Sequence, residues 1–408
     1  MVIIRRASAY ILLTSIYGFT WLIALLARII PHRRWKPSGK IAVTGTFFNP
    51  NWYLSHIAPL ANCGVKEIIL IVDEPQIPLE RVRFICPPKW LAKILSRAFA
   101  KALWMFISGI RYKPDLYMGY HLAPGGCSAL IAGKLLGRPS CYQMTGGPVG
   151  IRGGGFDAVD SIEGSLGHPS RFIEKLALAV VNSFELVVVR GKKAKNFLAE
   201  HGINESVAII TGSVNGWLQS SQKKREIDLI FVGRLSPIKQ VHQFIKIVSI
   251  VKNFIPDIHA VLVGDGPLKE SLMSYTKILG LVNNIEFVGK TKNVDTYLSK
   301  SKVFILTSQS EGLSIAMAEA MSVGTVPVVA DIGELSDLII NGVNGFLVHP
   351  NNVDEYANKT ISLLQNNSLW DQFSNKATEV VTKYCDLEVV SGKWEQYLWQ
   401  TISKASGN

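Results

Sequence analysis

The sequence predicts an α/β protein of two doubly wound parallel sheets with an additional apolar helix at the N-terminus. Three observations predict it. Short, continuous apolar runs recur between stretches long enough for helices, the pattern of parallel strands covered on both faces. In the second half those runs end repeatedly in glycine, which sets turns and room for a ligand at one edge of a sheet. Finally, 408 residues with 48% apolar content supply two ordinary cores and an appendage.

The N-terminal segment comes first. Residues 7–27 carry no charge and as a helix would reach about 30 Å, one hydrocarbon thickness. Arg5 and Arg6 flank one end; Arg28, Arg33, Arg34, Lys36 and Lys40 flank the other. This predicts a membrane-associated segment over 1–38, with everything after it on the cytoplasmic face of an inner or plasma membrane. A cleaved secretory signal is the rival, but no Ala-x-Ala-like site follows. Thr14, Ser15, Gly18 and Thr20 dilute the apolar run, so spanning and lying in the interface both stay open.

A first Rossmann-like domain is predicted over 39–220, with strands at 41–44, 67–73, 116–118 and 186–189. A second is predicted over 226–387, with strands at 228–232, 260–263, 285–288, 303–307 and 325–330. The polar stretch 219–225 reads as the linker, and a helix at about 388–405 is expected to pack back on the first domain.

Charge divides the same way. Residues 1–225 hold 28 Lys and Arg against 12 Asp and Glu, whereas residues 226–408 hold 15 against 19. The basic first half is suited to an anionic partner, and the apolar N-terminus favours an anionic membrane surface over nucleic acid. Lys89, Lys93, Arg97 and Lys101 recur every four residues among Trp90, Leu91, Ile94, Leu95 and Phe99, a basic amphipathic helix that fits such a surface. The five scattered cysteines form no Cys-x-x-Cys and argue against disulfides or zinc.

The chemistry concentrates in the second half. Ser310-Glu311-Gly312-Leu313-Ser314 joins a strand to a helix, and Glu319 follows inside that helix. A helix N-terminus offers free N–H groups to an anion, whereas carboxylates accept from hydroxyls. A ligand with both phosphate and hydroxyls, such as a nucleotide sugar, satisfies both. Gly233-Arg234-x4-Lys239 sets two cations after a strand, where Arg grips phosphate bidentately and Lys adds a point charge. Gly264-Asp265-Gly266-Pro267 permits close backbone approach. Phe287-Val288-Gly289 presents extended backbone to a base edge.

These motifs, in this order and followed by Gly342-Val343-Asn344-Gly345-Phe346, resemble glycosyltransferase family 4, the retaining GT-B enzymes, over about 228–350. The resemblance implies a GT-B fold, two Rossmann-like domains facing a central cleft. It implies donor contacts from Gly233, Arg234, Lys239, Gly264, Val288, Glu311, Gly312, Leu313, Ser314 and Glu319. Arg234 and Lys239 would hold the donor diphosphate, Glu319 the ribose, Glu311 the transferred sugar, and the backbone of Gly312 to Ser314 the phosphate. Leu116-Tyr117-Met118-Gly119-Tyr120-His121 resembles the family strand that ends in an active-site His, so His121 joins Glu311 as a candidate catalytic residue. His56 and His168 are less well placed. Gly45 occupies the first strand–helix turn, where the family carries a glycine pair; only one is present. Gly146 and Gly147 open a glycine-rich stretch, through Gly155, that is a candidate acceptor loop. It lacks Gly-Lys-[Ser/Thr] and is not a P-loop.

The expected activity is retaining transfer of a sugar from a nucleotide diphosphate sugar to a lipid-linked or membrane-proximal acceptor, in polysaccharide or glycolipid assembly. No Asp-x-Asp occurs, so no metal is expected. The rivals are a GT-B nucleotide-sugar epimerase, separated by product analysis with and without acceptor, and a non-catalytic membrane-bound partner of a glycosyltransferase. Intact Arg234, Lys239, Glu311 and Glu319 count against the latter.

Overall fold

The computed structural model describes residues 2–29, 34–47, 49–158, 161–214 and 224–407. They form two compact units, residues 1–213 with 388–408 and residues 214–387. Most of the predicted linker, residues 219–223, lies outside the described residues. Arg225, at its end, is a fixed part of the second unit. It donates to the carbonyls of Leu298 (3.3 Å) and Ser301 (2.7 Å) and lies over the Trp370 ring.

The first unit holds seven parallel strands: β1 (Lys40–Thr44), β2 (Glu67–Ile71), β3 (Val82–Ile85), β4 (Leu116–Tyr120), β5 (Ser140–Met144), β6 (Leu186–Val189) and β7 (Val207–Ile209). Their order is β3-β2-β1-β4-β5-β6-β7, so the chain works outward from β1, then returns past it to β4. Successive side chains point to opposite faces. Ile41 and Val43 therefore meet Tyr53 and Ile57 of α2 (Pro50–Asn62), while Ala42 meets Met105 of α3 (Lys89–Tyr112) and Ala129 of α4 (Cys127–Leu135) on the other side. Asn49 caps α2 by accepting from the Trp52 N–H at 2.7 Å, and Pro50 fits the first turn.

The apolar N-terminal segment is α1 (Val2–Ala27), long and apolar enough over Ile4–Ala27 to cross a membrane. It is nevertheless built into the unit. It runs along α4 and α5 (Arg171–Val181), and Leu13 and Tyr17 are fully buried in one core with Leu130, Ile173 and Val180. Inside that core the Tyr17 hydroxyl donates to Glu163 Oε1 at 2.8 Å. Gly154 and Gly155 hold this arrangement. Both have φ near +78°, and a Cβ there would press on Ile173 and on Glu163 respectively. The glycine-rich stretch thus packs against α5 as a chain of turns. α6 (Lys192–Glu200) completes this layer.

The second unit holds β8 (Ile227–Val232), β9 (Ala260–Val263), β10 (Ile285–Gly289), β11 (Ser301–Leu306), β12 (Val326–Ala330) and β13 (Phe346–Val348). They form a parallel sheet ordered β10-β9-β8-β11-β12-β13, with the switch in direction between β8 and β11. Helices α7 (Val241–Lys252), α8 (Lys269–Ile278), α9 (Val294–Ser299), α10 (Ile315–Ser322), α11 (Val353–Gln365) and α12 (Asn367–Cys385) connect and follow the strands. The last helix, α13 (Leu387–Ser406), belongs to the first unit, where Val390, Trp394, Leu398 and Ile402 are buried against the α2 face of that sheet.

Candidate functional site

In the second unit the predicted donor residues gather at the C-terminal edge of the sheet, around its switch point. After β8 the chain passes Gly233 and Arg234 into a turn at Pro237–Lys239, then Gln240 in the left-handed region (φ 49°) starts α7. Gly264 follows β9 with φ +145°, and a Cβ there would collide with the Gly233 carbonyl. A Cβ on Gly266 would strike the Leu235 carbonyl in the same way. The Gly-Asp-Gly segment therefore lies against the backbone of the Gly-Arg loop, which its glycines alone permit. Two bonds lock the pair: Gly233 N–H to the Val263 carbonyl (3.0 Å) and Leu235 N–H to the Asp265 carbonyl (2.9 Å).

The turn before α7 is tied to the strand-end loop after β11. Thr307 Oγ1 donates to the carbonyls of Lys239 and Gln240, each at 3.1 Å, and Gln309 N–H donates to Ile238 at 2.8 Å. Between the loops Lys239 Nζ forms an ion pair with Glu311 Oε1, which also accepts from Ser308 Oγ at 2.6 Å. Lys239 and Glu311 are 22% and 11% exposed, so the pair is sheltered yet reachable. Gly312 and Leu313 follow, and Ser314 caps α10 by accepting from Met317 N–H at 3.3 Å. Glu319 is buried in the second turn of α10. Val288, at the end of β10, is half-buried. Beside it Gly289 accepts from the Gly264 N–H at 2.9 Å.

Further residues complete this edge. Thr307 and Ser308 were visible only as two hydroxyl residues at a strand end. Gly333 has φ +51°, and a Cβ there would collide with the Glu311 carbonyl; Glu334 N–H donates to Gly312 O at 3.1 Å. The loop after β12 therefore supports the Glu311–Gly312 backbone. Asn344 of the Gly-Val-Asn-Gly-Phe motif is fully buried. It accepts from Ile340 N–H (2.7 Å) and donates to Leu338 O (2.9 Å), so it closes a turn.

The first unit has its own cluster at the corresponding edge. His121 follows β4 with φ +59°, an uncommon conformation for a residue with a Cβ. The residue is exposed, and its ring lies nearly parallel to that of Trp52 at 6.2 Å. Surrounding protein, and secondarily the Lys101 ammonium, hold its imidazole below the usual histidine range. His56 is buried beneath, stacked on Trp52 at 4.4 Å, and its Nδ1 donates to the Trp52 carbonyl at 2.8 Å. His168 is exposed ahead of α5. Gly45 sits under Tyr120, Gly147 is buried with φ +69°, and Gly146 has open space around its Cα.

One expectation needs correction. Lys101 does not face outward with Lys89, Lys93 and Arg97. It is buried, with Nζ 2.8 Å from Asp73 Oδ2, 3.3 Å from Gly45 O and 3.2 Å from Thr46 Oγ1. The strict four-residue spacing breaks at Ser96 (φ 70°), where α3 kinks. Among the described residues no three His, Cys, Asp or Glu side chains converge as metal ligands.

Comparison with known proteins adds to this geometry. The sequence profile described as glycosyl transferases group 1 matches residues 217–380. An α-1,3-galactosyltransferase of Escherichia coli that uses UDP-Gal and α-D-GlcNAc-diphosphoundecaprenol is 29% identical over 173 residues, 42% of each chain. An uncharacterized glycosyltransferase of Haemophilus influenzae is 29% identical over 42% of this chain and 48% of its own. The chain thus spans less than half the length of these two relatives. HepE of Anabaena, solved with UDP, shares the fold at a TM-score of 0.69 and 19% identity over 90% of this chain and all of its own.

Proposed function

We propose that this chain, which matches the glycosyl transferases group 1 profile over residues 217–380, is a retaining glycosyltransferase. It moves a sugar from a nucleotide diphosphate sugar to a lipid-linked or membrane-proximal acceptor. The observation that carries this reading is the Lys239–Glu311 pair beside Arg234 and the capped start of α10.

The pair supports a division of labour. A diphosphate entering between Arg234, Lys239 and the α10 N-terminus offers Lys239 a stronger partner than Glu311. The ammonium moves to the phosphate, and the freed carboxylate accepts from a hydroxyl of the sugar. Glu319 takes the ribose and the Val288 backbone the base. As the anomeric C–O bond breaks, charge grows on the departing diphosphate, where the fixed cations and N–H groups stabilise it. The acceptor oxygen attacks from the same face and its proton passes to the leaving phosphate. On the first unit His121, whose imidazole its surroundings hold below the usual histidine range, is the candidate partner for an acceptor hydroxyl. The cations stabilise the leaving group without a metal.

The α1 packing supports an interfacial helix. Were α1 to cross a bilayer, α4 and α5, packed along it, would enter with Lys134, Arg171, Glu174 and Lys175. Lying in the interface, α1 keeps Leu13 and Tyr17 in the core and offers Ile11, Phe19, Leu22 and Leu26, all exposed, to lipid.

A donor panel assayed with purified membranes, read as nucleotide diphosphate release, tests the proposal. Lys239→Ala and Glu319→Ala are expected to lose about a hundredfold or more in turnover while remaining folded. Full activity in both variants refutes the assignment.

A further inference from the structure

The first unit contains a pocket of roughly 460 Å³ at the C-terminal edge of β1 and β2, lined in part by Gly45, Thr46, Asp73, Lys89, Lys93 and Arg97. Resting on the glycosyltransferase reading above, we propose that this pocket binds the diphosphate of a lipid-linked acceptor. The lipid chain leaves along the exposed flank of α3.

Charge comes first. Asp73 is already neutralised by the buried Lys101, which also fastens the Gly45–Thr46 loop as the pocket floor. Lys89, Lys93 and Arg97 have no ion-pair partner among the described residues and face only one further carboxylate at the rim, Glu74. Three cations against one carboxylate match the two negative charges of a diphosphate diester. Lys89 and Lys93 stand about one helical turn apart. Arg97 lies beyond the break at Ser96 and still lines the same pocket.

Hydrophobicity comes second. Trp90, Ile94 and Phe99 stand beside these cations on α3 and are 62%, 71% and 58% exposed. One helix therefore carries phosphate-binding cations and, next to them, an apolar surface for an acyl or isoprenoid chain. The pocket also shares a wall with the His121 cluster. Phe47, which lines it, lies 5.1 Å from Trp52 and 5.3 Å from Tyr120, and Trp52 stacks on His121. A sugar carried on the bound diphosphate would extend along this wall.

Flotation with phosphatidylcholine vesicles carrying a few mol% of a polyprenyl diphosphate tests this. The full chain should bind them at least about tenfold tighter than vesicles carrying the free polyprenol, and millimolar inorganic pyrophosphate should compete. The combined variant Lys89→Ala, Lys93→Ala, Arg97→Ala should lose that preference, and Lys89→Arg with Lys93→Arg should keep it. Wild-type binding without preference, no competition, or a preference surviving in the alanine variant each overturns the proposal. An equal loss of binding to phosphatidylglycerol vesicles also overturns it, because the cations would then read bulk headgroups. UDP binding by the same variants separates the two readings. If it persists while the vesicle preference is absent, the glycosyltransferase reading stands and the diphosphate subsite fails.

Discussion

His56 is a neutral imidazole enclosed by Trp52 and Tyr120, and burial, with the Arg190 guanidinium nearby, holds it well below the usual histidine range. The Trp52 carbonyl can only accept, so Nδ1 carries the proton. The consequence for stability has a definite sign. Above about pH 6.5 neither the folded nor the unfolded state protonates this group, and it costs nothing. As pH falls below about 6.5 the unfolded chain takes up a proton that the folded chain refuses, so stability falls by up to about 1.4 kcal/mol per pH unit. His121, also held low, acts in the same direction. The melting temperature is therefore expected to drop between about pH 6.5 and 5, and His56→Phe should flatten that drop. A variant with the wild-type slope would assign the acid sensitivity elsewhere.

At the scale of elements, the candidate donor edge depends on loops that lie against one another rather than on single contacts. The Gly264 position can hold no side chain without moving the Gly233 carbonyl, and its φ of +145° is open only to glycine. Gly280, by contrast, has φ +66° and nothing within 4 Å of a Cβ. Gly264→Ala is expected to destabilise the protein by about 3 kcal/mol or more and to abolish donor binding. Gly280→Ala should cost only about 1 kcal/mol. Urea unfolding with UDP titration distinguishes them, and equal effects would show that the close approach of the two loops carries no weight.

For the whole molecule the decisive element is α1. Its inner side chains belong to the core of the first unit and its outer ones face away from it. Phe19→Glu with Leu22→Glu should weaken binding to phosphatidylglycerol vesicles about tenfold or more and leave the melting temperature within a few degrees. Leu13→Glu should unfold the first unit, since it buries an unpaired charge. Vesicle binding that survives the double substitution would exclude α1 as the lipid contact.

Much of this was legible in the chain. The apolar strands of both units could be read because a sheet covered on both faces requires uninterrupted apolar runs, as in 68–71 and 303–306. β5 (Ser-Cys-Tyr-Gln-Met) and β3 (Val-Arg-Phe-Ile) were not, since polar residues interrupt them and only neighbouring strands make them β. The strand-end loops of the second unit were readable because their glycines and cations lie close in sequence.

Local sequence alone therefore determined the two parallel sheets, the glycine loops at the strand ends of the second and the apolar N-terminal helix. Tertiary structure decided that Lys101 is an internal clasp, that Lys239 rests on Glu311, and that α1 lies along its domain. Each of these joins residues 28 to 146 positions apart, or packs one helix along others. Composition and spacing specify which side chains can bury or bond, and the packed fold selects the partner.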